Sequence, residues 1–70
     1  MVDSVYRVTE VIGSSTESWE DAARNAVETA AKTLRGLRVG EIVKLDLTID
    51  DGHVTRYRAR VNISFKYESD

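Results

Sequence analysis

The sequence predicts an α+β fold in which one helix packs on one face of a three-stranded antiparallel sheet, in the order β-α-β-β. Two observations carry this prediction. Apolar residues at helical spacing form a stripe in the first half of the chain, and two long segments of alternating apolar and polar residues fill the second half. A short segment rich in β-branched residues precedes the helix. We therefore predict one domain over residues 1–70.

The first strand is predicted over residues 4–12 and the helix over residues 18–35. Gly13 to Thr16 ends the strand, Ser18 caps the helix together with Asp21, and Gly36 closes it. Because alanine supplies most of the helical stripe, the sheet can come close to the helix axis. The stripe consists of Trp19, Ala22, Ala23, Ala26, Val27, Ala30, Ala31, Leu34 and Leu37.

The second and third strands are predicted over residues 38–50 and 53–67. The apolar residues of both strands are odd-numbered, so directly paired residues should have numbers of the same parity. This predicts a three-residue loop over residues 50–52, with Gly52 in the left-handed conformation, and argues against a two-residue loop. In that register the facing pairs are Ile49 and His53, Leu45 and Tyr57, Val43 and Ala59, Asp46 and Arg56, and Lys44 and Arg58.

Length and composition predict an oligomer. A chain of 70 residues buries only about 60% of its unfolded surface. It has no cysteine and one histidine, so neither disulfides nor a structural zinc site can add stability. The opposite sheet face would be bare and polar, and long exposed strand edges favour pairing with another chain. A net charge of −2 argues against nucleic acid as a partner, and the lack of a long apolar run or export signal predicts a cytoplasmic protein without a membrane partner.

Several short strings, in one ungapped register over about residues 5–67, resemble the dodecin family. They are Tyr6, Val11-Ile12-Gly13-Ser14-Ser15, Thr33-Leu34-Arg35, Glu41-Ile42 and Phe65. The resemblance implies a hollow homododecamer with helices outside and sheets around the cavity. It also implies a protein that stores or quenches flavin pairs and does not catalyse a reaction.

At the positions where dodecins hold flavin, the sequence departs from the family pattern. Val39 stands where a tryptophan stacks on the flavin ring, and Arg58 stands where a glutamine binds the ring edge. Asp46 stands where many bacterial members have a phosphate-binding arginine, while Lys66 keeps a basic position. Flavin is therefore not expected to bind in the family manner. The sequence resembles the branch without the tryptophan, for which calcium binding has been proposed.

A divalent cation site needs carboxylate or other oxygen ligands. We expect Glu17 and Asp46 to be ligands, and Asp50 and Asp51 with lower priority, because a three-fold axis repeats each carboxylate three times. The alternative is that residues 50–52 are only a turn and that Asp46 only pairs with Arg56. Further carboxylates are Glu10 and Glu41.

We interpret His53 as a solvated turn residue, Trp19 as a packing anchor on the sheet, and Arg56, Arg58 and Arg60 as a row that either pairs with carboxylates or attracts anions.

The chain offers no nucleophile–base pair, phosphate loop or acid–base carboxylate pair, so it is not expected to be an enzyme. The sequence predicts a dodecameric binding or storage protein for a divalent cation, calcium in particular, with a degraded flavin site. One alternative is a dodecin that binds riboflavin or its phosphate in a modified pocket through Arg58 and Lys66. Another is a structural or protein-interaction shell that binds no ligand.

Overall fold

The computed structural model describes residues 5–66, and its elements follow the predicted order. They are β1 (Tyr6–Ser15), α1 (Trp19–Ala30), β2 (Leu37–Asp50) and β3 (His53–Lys66). All strand pairs are antiparallel and β3 lies between the other two, in the order β1-β3-β2. The β-α-β-β prediction is confirmed. The predicted first residue of β1, Ser4, and the last of β3, Tyr67, lie outside the described residues.

The core lies between α1 and the centre of the sheet. Its buried side chains come from one stripe of the helix and from alternate residues of β3: Ala22, Ala26, Ala30, Ala59, Val61 and Ile63. The helix and sheet approach so closely that a methyl group at Gly13 would overlap the Ala22 carbonyl oxygen. The alanine stripe therefore faces the sheet, as predicted, and glycine on β1 completes the close contact.

The helix is shorter than predicted: it ends at Ala30 and not at residue 35. After Ala30 two backbone bonds have the three-residue spacing, from the Lys32 amide to Thr29 and from the Thr33 amide to Ala30, both at 3.1 Å, and the Leu34 amide also donates to Ala30, at 2.9 Å. Leu34 still packs against the core from this turn. The apolar stripe thus continued past the real end of the helix. Gly36 has φ +70°, but it turns the chain into β2 and does not cap α1 directly.

The strand β1 is longer than predicted, since it continues through Gly13 and Ser14 to Ser15. Ser15 is buried, and its hydroxyl donates to Asp21 Oδ2 at 2.7 Å while accepting from the Glu17 amide at 2.8 Å. The predicted cap is present, because the Ser18 hydroxyl accepts from the Asp21 amide at 3.0 Å. These bonds satisfy the free amides at the start of α1 and fix the β1–α1 turn.

The β2–β3 connection is a two-residue loop, so the predicted three-residue loop is wrong. Asp51 and Gly52 have φ +50° and +76°, and Asp50 faces His53. Two left-handed residues are what a tight type I′ turn requires. From Thr48 onwards a β-bulge restores the pairing of residues whose numbers have the same parity. Ile49 faces Val54 and Thr48 faces Arg56, which leaves Thr55 as an extra residue.

The two-residue loop displaces the predicted register by one residue at Ile49, and the bulge displaces it by a second residue from Thr48 onwards. All five predicted pairs are wrong, including those of Asp46 with Arg56, Lys44 with Arg58, Leu45 with Tyr57, Val43 with Ala59 and Ile49 with His53. The structure pairs Leu47 with Tyr57, Leu45 with Ala59, Asp46 with Arg58 and Lys44 with Arg60. Thr55 and Thr48 join their hydroxyls at 2.7 Å across the bulge, which holds the irregular pairing in place.

A second irregularity lies at Val43, between the pairs of Ile42 with Val61 and Lys44 with Arg60. Because one residue is skipped, the N-terminal half of β2 reverses its faces. Ile42 joins the helix side of the sheet, whereas Val39 and Glu41 join the other side. The sequence pattern had placed Val39 and Glu41 on the same face as Leu45.

The sheet is much longer than the helix, and the described residues extend over 56 × 20 × 14 Å. The distal part of the β2–β3 hairpin projects past α1. Several of its apolar side chains are exposed, namely Val43, Leu45, Leu47, Ile49 and Val54. Within residues 5–66, no helix combines the length and apolarity needed to cross a membrane.

Candidate ligand-binding face

The sheet face opposite α1, called here the bare face, carries most of the predicted site residues. Strand pairing and the buried partners on the other side define it. Its charged side chains are five basic residues and three acidic ones: Lys44, Arg56, Arg58, Arg60 and Lys66, and Glu10, Glu41 and Asp46. Five basic and three acidic residues give this face a net charge of +2, whereas the whole chain has a net charge of −2.

Two of the positions that the sequence analysis singled out contact each other directly. Arg58 Nε donates to Asp46 Oδ1 at 2.8 Å, and the two residues face each other across β2 and β3. Both side chains are about two-fifths exposed, at 36% and 41%. An ion pair in this environment contributes about 0–1 kcal/mol to stability, but it fixes where the two charged groups lie. Asp46 thus has Arg58 as its partner and not Arg56.

Val39 and Lys66, the other two positions where dodecins are expected to hold flavin, lie further along the sheet. Val39 is 60% exposed and faces Ser64, whose hydroxyl donates to the Val39 carbonyl at 3.4 Å. A cleft of about 140 Å³ lies beside it, lined in part by Val27, Leu37 and Ile63. Lys66 faces Tyr6 at the far end of β3. The cleft beside Val39 is lined by Val27 of α1 and therefore lies on the helix side of the sheet, not on the bare face.

A second cluster of charge surrounds Arg60. The Glu10 carboxylate lies 4.0 Å from Arg60 Nε, which is buried and has no hydrogen-bond partner in the described part of the chain. On the other side, Lys44 is the direct cross-strand partner of Arg60. Two cations in directly facing positions repel each other.

The predicted cation ligands do not come together within one chain. Asp46 lies on the bare face beside Arg58, whereas Asp50 and Asp51 lie at the hairpin turn. Glu17 is exposed in the β1–α1 turn, where Thr16 Oγ1 is 3.5 Å from its carboxylate. Over residues 5–66, no three acidic or histidine side chains form a group that could hold a metal ion.

Two aromatic residues join α1 to the distal hairpin. The Trp19 ring contacts Tyr57 edge to face, with centroids 5.2 Å apart, and Trp19 Nε1 donates to the Asp46 carbonyl at 3.1 Å. The expected packing of Trp19 on the sheet is present, although 36% of the residue is exposed. The bond to the Asp46 carbonyl cannot be predicted from the sequence alone, because it depends on the bulge that sets the register. His53 is exposed at the turn.

Comparison with known proteins gives the family of the chain. The family model described as Dodecin matches residues 5–68. This chain belongs to the dodecin family. A calcium dodecin of Mycobacterium tuberculosis is 38% identical over 63 residues, which cover 90% of this chain and 89% of that protein. A dodecin of Thermus thermophilus is 34% identical and covers 91% and 93% of the two chains.

The solved dodecin structures have the same fold. A dodecin from Streptomyces coelicolor superposes with a TM-score of 0.91 at 37% identity, with all of both chains covered. The structure of calcium dodecin from M. tuberculosis, described with a novel calcium-binding site, gives a TM-score of 0.81 at 36% identity over 94% of each chain. The β-α-β-β protomer of this dodecin-family chain is therefore the family fold, and the residues that differ on its bare face are the ones to explain.

Proposed function

We propose that this dodecin-family chain is a non-enzymatic small-ligand binding or storage protein that has lost the flavin site and binds a divalent cation, calcium in particular. In this proposal it works as a homododecamer. The observation that carries the loss of flavin is the bond between Arg58 and Asp46. The two positions expected to hold the ring edge and the phosphate of a flavin are bound to each other.

The chemistry of the three altered positions supports weak flavin binding. Val39 offers no aromatic surface, and loss of stacking costs roughly 1–3 kcal/mol by analogy with base stacking. Arg58 has only donors, so it cannot replace an amide that both donates and accepts, which costs about 1–3 kcal/mol more. Asp46 would repel a phosphate. Together these losses turn a micromolar flavin site into one of roughly millimolar affinity or weaker.

The cation part of the proposal is supported by the relative from M. tuberculosis, which is named a calcium dodecin. Among the candidate ligands, we choose Glu17. Its carboxylate is exposed and touches no cation, whereas Asp46 is held by Arg58. Since the described residues of one chain place no three carboxylates together, copies of Glu17 from neighbouring subunits would have to complete the site. Asp46, Asp50 and Asp51 remain weaker candidates.

The test is native mass spectrometry of the purified assembly before and after chelation, followed by calorimetric titration with calcium. We expect a twelve-fold mass, no flavin, and calcium in multiples set by the three-fold axes. Glu17→Gln should weaken calcium binding at least tenfold. Glu20→Gln is the matched control, because it removes the same charge from the exposed start of α1. Flavin at one copy per subunit in the purified protein would refute the proposal, and equal loss in both variants would refute the choice of Glu17.

A shell without ligand is the alternative, in which the carboxylates of neighbouring subunits form no site. A ligand that binds only the native state must raise the melting temperature. A stable dodecamer whose melting temperature responds to neither calcium nor riboflavin would identify this alternative.

A further inference from the structure

We infer that Lys44 and Arg60 form a binding site for a phosphate group on the bare face. This inference does not depend on the cation site or on the loss of flavin. It concerns residues outside the four positions where dodecins are expected to hold flavin.

The two cations are placed together by the register of the sheet. Lys44 faces Arg60 directly across β2 and β3, which brings their Cβ atoms within about 4.5–5.5 Å. Like charges in such a pair repel each other, and this repulsion is relieved when an anion binds between them. The bulge at Val43 lies next to this pair and turns the preceding residues of β2 to other faces.

The bare face carries three carboxylates near this pair, Asp46, Glu41 and Glu10, and among residues 5–66 none of them lies closer than 4.0 Å to the charged nitrogens of Lys44 or Arg60. Asp46, the next acidic residue on the same face of β2, is already bound to Arg58. Among residues 5–66, the Lys44 side chain makes no ion pair or hydrogen bond. Glu10 reaches only to 4.0 Å from Arg60 Nε, and its side chain is 53% exposed, so it can turn towards water.

The shape of the Arg60 side chain favours an oxyanion. Its Nε is buried against the sheet, yet 38% of the side chain is exposed. The accessible part of the guanidinium is therefore its outer edge, with the terminal nitrogens. This edge offers paired donors to a tetrahedral oxyanion, and the Lys44 ammonium supplies a mobile point charge beside it. Phosphate, either free or as the end group of a larger molecule, has the matching chemistry.

The experiment is calorimetric titration of the full-length protein, in its native assembly and in calcium-free buffer, with inorganic phosphate and with methyl phosphate. Ionic strength is held constant with sodium chloride, so that general screening does not contribute. We expect saturable binding of phosphate, and a loss of at least tenfold in affinity in both Lys44→Gln and Arg60→Gln. Lys44→Arg should keep the binding within about threefold, because it keeps the charge.

Arg56→Gln is the matched control. Arg56 is also exposed on the bare face but faces Thr48, four residues along β2 and thus about 13 Å from Lys44. Its removal changes the net charge equally and should leave the affinity within about twofold. The native mass and denaturation midpoint of each variant show that it is folded and assembled.

The two phosphate ligands distinguish the source of the group. Equal affinities point to a phosphate monoester, whereas a methyl phosphate at least tenfold weaker points to free phosphate, and either result supports the site. The inference is overturned if the wild-type protein shows no saturable binding, or if Arg56→Gln loses as much affinity as Arg60→Gln. If the wild type binds no phosphate and Lys44→Gln and Arg60→Gln also break the assembly, the anion beside these cations is supplied by a neighbouring chain and not by phosphate. The calcium-free buffer keeps these outcomes separate from success or failure of the cation site.

Discussion

Arg58 and Asp46 face each other across the β2–β3 hairpin, and their side chains are joined by a 2.8 Å bond between Nε and Oδ1. In the dodecin pattern that the sequence resembles, these two positions are expected to hold a flavin through a glutamine and an arginine. In this chain the arginine and the aspartate at these positions bind each other. The two substitutions compensate each other in charge, because the arginine at one position is neutralised by the aspartate at the other. If the flavin site is lost as proposed, its place is taken by a local ion pair and not by an uncompensated charge.

The first prediction is that the flavin site can be rebuilt on this scaffold. The triple variant Val39→Trp, Arg58→Gln and Asp46→Arg restores the stacking surface, the amide and the phosphate-binding cation. It should tighten flavin binding by about 2–6 kcal/mol, or at least about thirtyfold in Kd. Quenching of riboflavin fluorescence on titration with protein measures the change.

The matched control for the rebuilt site is the double variant Arg58→Gln and Asp46→Arg, which lacks the tryptophan. It should bind flavin at least about fivefold more weakly than the triple variant, because stacking on an aromatic ring contributes roughly 1–3 kcal/mol. The prediction fails if the unmodified protein already quenches riboflavin at micromolar concentration, since Val39 and Arg58 would then form a working pocket.

The second prediction concerns the contact between α1 and β1. Gly13→Ala should destabilise the protein by about 3 kcal/mol or more, because the added methyl would overlap the Ala22 carbonyl and lie 2.8 Å from the Ala26 Cβ. Gly40→Ala is the control: there the methyl would lie 3.5 Å from Val27 and Val61, at ordinary contact distance, and the cost should stay below about 1 kcal/mol. Urea denaturation of both variants measures the difference, and equal costs would contradict the close approach at Gly13.

Much of the fold could be predicted from the sequence because hydrophobic periodicity determines which face of each element is buried. The alanine stripe and the alternation of β3 identified the core correctly. The helix end was missed because Leu34 packs on the core from a turn, so that periodicity alone could not show where the helix stops. The hairpin register was missed because parity assumes an uninterrupted ladder, and the extra residue Thr55 breaks that assumption.

Less of the site could be predicted, since it depends on the register. The expected pairing of Asp46 with Arg56 follows from a three-residue loop, and the bulge at Thr55 moves the partner to Arg58. The facing cations Lys44 and Arg60 follow from the same displacement. A site shared between subunits leaves no local motif at all, because one carboxylate per chain has no characteristic spacing. The choice of Glu17 therefore stays a prediction.

The third prediction tests the two-residue turn. Asp51 has φ +50°, a left-handed conformation in which asparagine and glycine are preferred. Asp51→Asn should stabilise the protein by about 0.5 kcal/mol. Gly52→Ala should cost about 1–2 kcal/mol, because Gly52 has φ +76°. A three-residue loop would give Asp51 an ordinary conformation, so an unchanged urea midpoint for Asp51→Asn would contradict the observed turn.

The fourth prediction concerns the link between α1 and β2. Trp19 Nε1 donates to the Asp46 carbonyl, and the indole ring packs edge to face on Tyr57. Trp19→Phe keeps an aromatic edge contact but loses the bond, so it should cost about 1 kcal/mol. Trp19→Ala loses both and should cost about 2–3 kcal/mol, less than for a fully buried ring because 36% of Trp19 is exposed.

Amide hydrogen exchange separates the bond from general stability. Without the indole donor, the Asp46 carbonyl no longer accepts a hydrogen bond from the start of α1, while the aromatic contact with Tyr57 remains. Exchange in Trp19→Phe should therefore quicken at the β2 amides around Asp46, while the amides of Val61 and Ile63, in the centre of β3, change only as global stability does. Uniform acceleration across the sheet would show that Trp19 contributes packing alone. Local acceleration would show that one hydrogen bond from the helix holds the part of β2 around Asp46, whose side chain pairs with Arg58 of β3.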